Sequence, residues 1–222
     1  MVTIKWLGHA AFEVSMSDRV ILIDPFLKDN PKAAIKPDEI QRVDLVVVTH
    51  NHFDHFADVV EIAKKHGAKV VAVYETANAA AEQGVENTVG LNVGGTAKLD
   101  GLSITLTPAF HSCTSNPSGV VLSDGKVSVY HAGDTSLFGD MRLIGQLYKP
   151  RVALLPIGGF YTMGPLEAAV ATALIKPKVV IPHHYGTFDA IKQDPEEFAK
   201  LVRRKAKGVK VVVLKPGESY EL

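Results

Sequence analysis

Residues 46–56 read VVVTHNHFDHF, an apolar run that ends in three histidines and an aspartate packed into six positions. The run from Val43 to Val48 is rich in β-branched residues and shows no apolar–polar alternation. That is the mark of a strand buried on both faces. Polar side chains at the buried end of such a strand need strong compensation. Imidazole and carboxylate are the ligands of zinc, iron and manganese, so His50, His52, Asp54 and His55 read as a metal-binding cluster. In an extended continuation His50, His52 and Asp54 share one parity while His55 points elsewhere, so one loop is equipped to serve two metals.

One loop cannot close two coordination shells, so further ligands should stand at other strand ends. His111 follows the strand-like segment Leu102–Pro108, Asp134 follows Val127–His131 within HAGDTS, and His183–His184 follow Val179–Pro182. Strands are also expected at Val2–Leu7, Ala11–Ser15, Val20–Ile23, Ala68–Val73, Val89–Val93, Ala97–Leu99, Gly119–Ser123, Val152–Ile157 and Val209–Leu214. Asp124-Gly125 marks a hairpin turn. Helical spacing runs through residues 56–66, 75–83, 140–147, 165–175 and 195–205. With no linker, low-complexity stretch or short repeat, the 222 residues read as one α/β domain, two sheets back to back with helices outside.

Composition narrows the function. Twenty-four Lys and Arg balance 24 Asp and Glu, so no bulk field draws in nucleic acid and none is expected as a partner. The basic run Arg203–Lys207 reads as a solvated helix end. No window reaches the ~18 apolar residues that span a bilayer, so no membrane association is expected. The N-terminus, MVTIKWLGHAAFEV, lacks an export pattern, and Cys113 is the only cysteine. Together these point to a reducing, cytoplasmic setting. Cys113 reads as a small buried thiol and not as a nucleophile.

THNHFDH matches the T-H-x-H-x-D-H signature of the metallo-β-lactamase superfamily, and His111, Asp134 in G-D-T and a final histidine follow in that superfamily's order. WLGHAAFEV, LIDPF, HAGDT, LPIGG, TMGP and PHHYGTF resemble its UPF0173-like metal-dependent hydrolases, relatives of the ascorbate-phosphate lactonases. The resemblance covers nearly the whole chain. It implies an αββα sandwich of two mixed β-sheets with helices on the outer faces and a binuclear centre at one edge. It further implies that His50, His52 and His111 hold a first metal, and that Asp54, His55 and His184 hold a second. By the same resemblance, Asp134 would bridge them. His184 is preferred because the motif places the ligand directly before Tyr-Gly-Thr, which leaves His183 as a second-shell or substrate-facing group.

The expected cofactors are two divalent ions drawn from Zn, Mn, Ni or Fe. A hydroxide shared between them would attack the substrate, with Asp54 taking the proton and His9 or His183 donating to the developing charge. His9 lies near the site in related members and reads equally well as a hydrogen-bonded turn residue. Asp24 reads either as an orienter of a metal-bound histidine or as a cap of the Pro25 turn. Thr162 and Met163 read as a helix entry. The substrate expected is a small, anionic phosphodiester or lactone. The alternative is an iron-dependent oxidoreductase resembling the persulfide dioxygenases. β-Lactam cleavage and RNA processing are disfavoured by the lack of an export pattern and of spare basic segments. Family members often assemble, so a homo-oligomer is a further expectation.

Overall fold

The computed structural model describes residues 1–222. The first sheet takes β1 (Thr3–Gly8), β2 (Ala11–Met16), β3 (Arg19–Ile23), β4 (Leu45–Val47), β5 (Lys69–Val73) and β6 (Thr88–Leu91) in sequence order, and β14 (Ser219–Glu221) flanks β1. The second takes β7 (Thr96–Leu99), β8 (Leu102–Pro108), β9 (Ser118–Ser123), β10 (Ser128–His131), β11 (Val152–Pro156), β12 (Val179–His183) and β13 (Lys210–Val211). Each sheet is mixed: three antiparallel pairings are followed by three parallel ones.

The unbroken apolar run now has its reason. Leu45 and Val47 face the interior between the sheets, with Ile21, Ile23, Leu106, Val120 and Leu154. Val46 and Val48 face the other way, onto α2 (Val59–His66) and α3 (Tyr74–Glu82) through Val59, Ile62, Ala77 and Ala80. The second sheet repeats the scheme: Leu154 and Ile181 point inward, while Ala153, Leu155 and Val180 point out. Their outward partners come from α4 (Met141–Tyr148), α5 (Pro165–Ile175) and α6 (Pro195–Lys205). Two inner sheets and two outer helical layers give the expected αββα sandwich.

Two local differences from the sequence reading border the rim that carries the histidines. The strand expected at residues 43–48 is hydrogen-bonded as such only over Leu45–Val47, and the helix expected from Phe56 is two: α1 (Phe53–Phe56) and α2. Asp58 separates them, because its carboxylate is turned away to accept from the backbone N–H groups of Leu27 (2.5 Å) and Lys28 (2.9 Å). The segment expected at residues 209–214 is a two-residue strand, and β14 carried no signal because it is short and half polar.

Candidate metal centre

Every sequence-predicted ligand except those on α1 leaves the carboxyl end of a strand, and all converge on one rim. β4 delivers Thr49 and His50, β8 leads to His111, β10 to Asp134, β12 to His184, and the β1–β2 turn supplies His9. α1 starts just after His52 and offers Asp54 and His55 from its first turn. Gly133 makes the approach possible at Asp134: with φ +62 its Cβ would lie 2.5 Å from the Ser118 carbonyl oxygen and 3.0 Å from Thr49 Cβ.

The side chains form two adjoining sets. In the first, His50 Nε2 and His111 Nε2 stand 3.1 and 3.3 Å from His52 Nδ1. Two nitrogens bound tetrahedrally at 2.0–2.1 Å to one ion are about 3.3 Å apart, so the spacing fits a shared metal. In the second, Asp54, His55 and His184 gather with His9. His184 Nε2 lies 3.8 Å and His55 Nε2 4.0 Å from Asp54 Oδ2. Asp134 stands between the sets, its oxygens 3.4 Å from His55 Nε2, 3.1 Å from His184 Nε2 and 3.7 Å from His111 Nε2. His55 Nε2, His184 Nε2 and Asp134 Oδ1 are buried with no hydrogen-bond partner. Orphaned donor atoms turned toward one point are what an ion would satisfy.

Asp24 holds both sets. Its Oδ1 accepts from Thr49 N–H (2.7 Å), and its Oδ2 accepts from the Thr49 hydroxyl (2.6 Å) and from His55 Nδ1 (2.7 Å). The Thr49 oxygen lies 3.1 Å from His50 Nδ1. One buried carboxylate therefore fixes the Nδ1–H tautomer of His55 directly and of His50 through Thr49, leaving both Nε2 atoms bare toward the centre. Of the two readings of Asp24, orientation of a histidine is the one observed. Thr49 was missed as a site residue, although it sits inside the THNHFDH motif.

His9 is fully buried and tied at both ends, with Nδ1 2.8 Å from Thr187 Oγ1 and Nε2 3.0 Å from Asp54 Oδ2. Its carbonyl accepts from His184 N–H (3.0 Å) and Trp6 Nε1–H (2.9 Å), which joins the two sheets at the rim. A ring so committed has no donor free for substrate, so the expectation of His9 as a substrate-facing donor gives way to positioning of Asp54. His183 is corrected more sharply. It shares the parity of Val179 and Ile181, so its fully buried ring enters the inter-sheet interior, 4.5 Å from His131 and 5.6 Å from Phe12 between ring centroids. It does not face the cavity.

Burial and charge set the protonation of the site. Burial, with the neighbouring His55, lowers His50 to about 3, and burial together with His184 lowers His9 to about 4. Both rings are thus neutral near pH 7. Burial opposes charge on Asp134 too, but the surrounding His184 and His55 hold it well below its usual range. His55 is the exception: burial works against its cation, yet Asp134 and Asp24 on either side raise it well above 6.5. Without an ion, a proton on His55 takes the place of one.

A cavity of about 550 Å³ opens over the centre. His52, Asp54, His111, Asp134 and His184 form its floor, and Phe53, Tyr161 and Phe188 its walls, with no Lys or Arg among them. These aromatics were invisible to motif reasoning because nothing in their spacing marks them. Thr162 and Met163 lie behind the cavity: Met163 N–H donates to the Thr135 carbonyl (3.0 Å) and so supports the Asp134 loop. Cys113 is half-buried, gives its thiol hydrogen to the Ser115 carbonyl (2.6 Å) and does not line the cavity.

The sandwich with His and Asp side chains gathered at one rim defines a metallo-β-lactamase-type protein. The family model described as the β-lactamase superfamily domain matches residues 19–185. The UPF0173 metal-dependent hydrolase of Methanopyrus kandleri is 56% identical, over 98% of this chain and 99% of its own. Igni18, described as a novel metallo hydrolase from Ignicoccus hospitalis, superposes with a TM-score of 0.93 at 43% identity, over 100% of this chain and 99% of its own. An isothiocyanate hydrolase from Delia radicum gut bacteria shares the fold alone, with a TM-score of 0.81 at 17% identity and coverage of 99% and 98%. The chain belongs to the β-lactamase superfamily and, within it, to the UPF0173 metal-dependent hydrolases. No helix is long and apolar enough to cross a membrane.

Proposed function

We propose that the chain hydrolyses a small lactone or phosphodiester with two divalent ions, one held by His50, His52 and His111 and the other by Asp54, His55 and His184. Asp134 serves both. The observation that carries this reading is the position of Asp134, whose oxygens face histidines of both sets. Two such ions, when bound, supply an activated water at neutral pH and a positive field for negative charge that develops on the substrate.

The chain's own residues do the rest. Asp24 and Thr49 keep His50 and His55 in the tautomer that points bare Nε2 atoms at the centre. His9, neutral and anchored on Thr187, donates through Nε2 to Asp54 and holds that carboxylate in place. Asp54, partly open to the cavity, is the group placed to receive a proton from the attacking water. Phe53, Tyr161 and Phe188 shield the reacting bond from bulk water and suit a substrate with an apolar arm. Since no cation lines the wall, attraction for an anionic substrate rests on the ions alone, and the neutral ring ester of a lactone fits the walls better than a phosphodiester does.

Protein reconstituted with manganese, zinc or nickel should open an aryl-substituted lactone or cleave bis(p-nitrophenyl) phosphate, and it should bind close to two ions per chain. Oxygen uptake with iron and persulfide, with no hydrolysis under any metal, would transfer the centre to oxidoreduction.

A further inference from the structure

The sequence Leu147-Tyr148-Lys149-Pro150-Arg151-Val152 is followed by a near copy, Leu174-Ile175-Lys176-Pro177-Lys178-Val179. Each copy ends a helix, turns at the proline and enters a parallel strand, and because β11 and β12 are neighbours the two turns lie side by side. Gly145 permits the approach, since a Cβ there would collide with the Ile175 carbonyl. The strand entries are stitched together: Arg151 N–H donates to the Ser128 carbonyl (2.7 Å) and Lys178 N–H to the Arg151 carbonyl (3.0 Å). This rim is where β10, β11 and β12 begin, roughly 15–20 Å along the strands from the rim that carries the metal centre.

A second cavity, of about 490 Å³, lies here. Lys126, Arg142, Lys149, Arg151, Lys176 and Lys178 line it, all exposed, with no Asp or Glu in the lining and no ion-pair partner for any of the six. In a chain of zero net charge, that is a local concentration and not a general surplus. Cations at helix ends ordinarily complement the dipole, yet Arg142 sits in the first turn of α4, where a cation opposes it. Lys149 and Lys176 have φ of 45° and 56°, a left-handed conformation that a glycine would adopt without strain. Keeping lysine twice at such positions points to a use for the side chain. Ser128 Oγ, which lines the same cavity, is buried without a hydrogen-bond partner, and half-buried Tyr148 adds an aromatic face.

We infer that this cavity is a binding site for a small polyanion carrying linked phosphates, of the class of a nucleoside di- or triphosphate. Arg151 and Lys178 are spaced by adjacent strands to meet successive phosphates, Lys149 and Lys176 flank them, Ser128 supplies a neutral donor, and Tyr148 offers a platform for the base. The site is independent of whatever the metal centre hydrolyses.

The test is calorimetric titration of the metal-loaded protein with ATP in excess magnesium, against a Lys149→Gly/Lys176→Gly double variant. Glycine relieves the left-handed strain, so the variant should keep or raise its Tm while its ATP affinity falls at least tenfold. Wild-type protein that fails to bind ATP at millimolar concentration would overturn the site, as would a double variant that binds as tightly as wild type. A single-stranded RNA bound a hundredfold more tightly than ATP would also overturn it, assigning the surface to a nucleic-acid backbone instead.

Discussion

Asp24→Asn is the substitution that tests most of the site with the smallest change in shape. Asp24 adopts φ 47°, a conformation asparagine tolerates well, so the backbone has no reason to move. The buried carboxylate accepts three hydrogen bonds, from Thr49 N–H, the Thr49 hydroxyl and His55 Nδ1. An amide keeping its oxygen toward Thr49 N–H presents two N–H donors where Oδ2 accepted. His55 must then turn a bare Nδ1 toward the amide, which moves its proton to Nε2, the nitrogen that faces Asp134. The Thr49 hydroxyl, displaced in the same way, donates to His50 Nδ1 and moves that ring's proton to Nε2 as well. The opposite amide orientation instead buries a donor against Thr49 N–H, at a cost of about 1–3 kcal/mol. Loss of such an orienting partner weakens metal binding by about 10–100-fold, or about 1.4–2.8 kcal/mol at 1.4 kcal/mol per decade. Competition with a chromophoric chelator should show weakening in both sets, with circular dichroism unchanged. Affinities within twofold of wild type at both sites would refute the relay from Asp24 to the two histidines.

Three further outcomes follow from the same geometry. Asp134→Ala should abolish hydrolysis and release at least one ion, because no other carboxylate reaches both sets; elemental analysis giving two ions with normal turnover would remove the bridging role. His184→Ala should lose the ion of the Asp54 set alone, whereas His183→Ala should retain both ions and lose about 2–4 kcal/mol of stability from the cavity left against Phe12 and His131; metal loss confined to the His183 variant would exchange the two assignments. Loading the metal-free protein at neutral pH should release protons, His55 among their sources, and calorimetry in buffers of different ionisation heat measures the release. The linkage has the matching sign. Without metal, the His55 contribution to stability is present below 6.5 and lost as pH rises through its raised folded value, while His9 and His50 destabilise the fold as pH falls from 6.5 toward about 4 and about 3.

The ligand cluster was legible because its chemistry is local. THNHFDH sets four donors, three imidazoles and a carboxylate, close together, and each distant partner is announced by an apolar strand just before it. The two-sheet sandwich was readable for a similar reason, since runs without alternation, such as Val46–Val48, imply burial on both faces. What stayed hidden depends on geometry that has no sequence period. Whether His9 faces substrate or a neighbour is decided by Thr187, 178 positions away, and the aromatic walls of the cavity come from three segments far apart in the chain. His183 misled because adjacency to a ligand says nothing of direction; strand parity, continued one residue further, would have sent its ring inward with Ile181.

Backbone conformation explains why that parity breaks just where the site needs it to. His184 has φ 55°, so the chain leaves the strand's alternation at that residue and swings its ring onto the rim, 3.1 Å from Asp134. His9 (φ 56°) and Asp24 (φ 47°) are left-handed too, and neither is glycine. Each such residue costs on the order of 1 kcal/mol, and glycine at any of the three would remove the strain along with the donor. The strain is held by backbone bonds made by these residues: His184 N–H donates to the His9 carbonyl, and Asp24 N–H to the Val47 carbonyl (3.0 Å) beside the cluster. Three turns from three strands are thus fixed in a conformation their own sequences disfavour, each keeping a side chain that binds, orients or braces the centre. That pattern separates a built site from histidines that happen to meet.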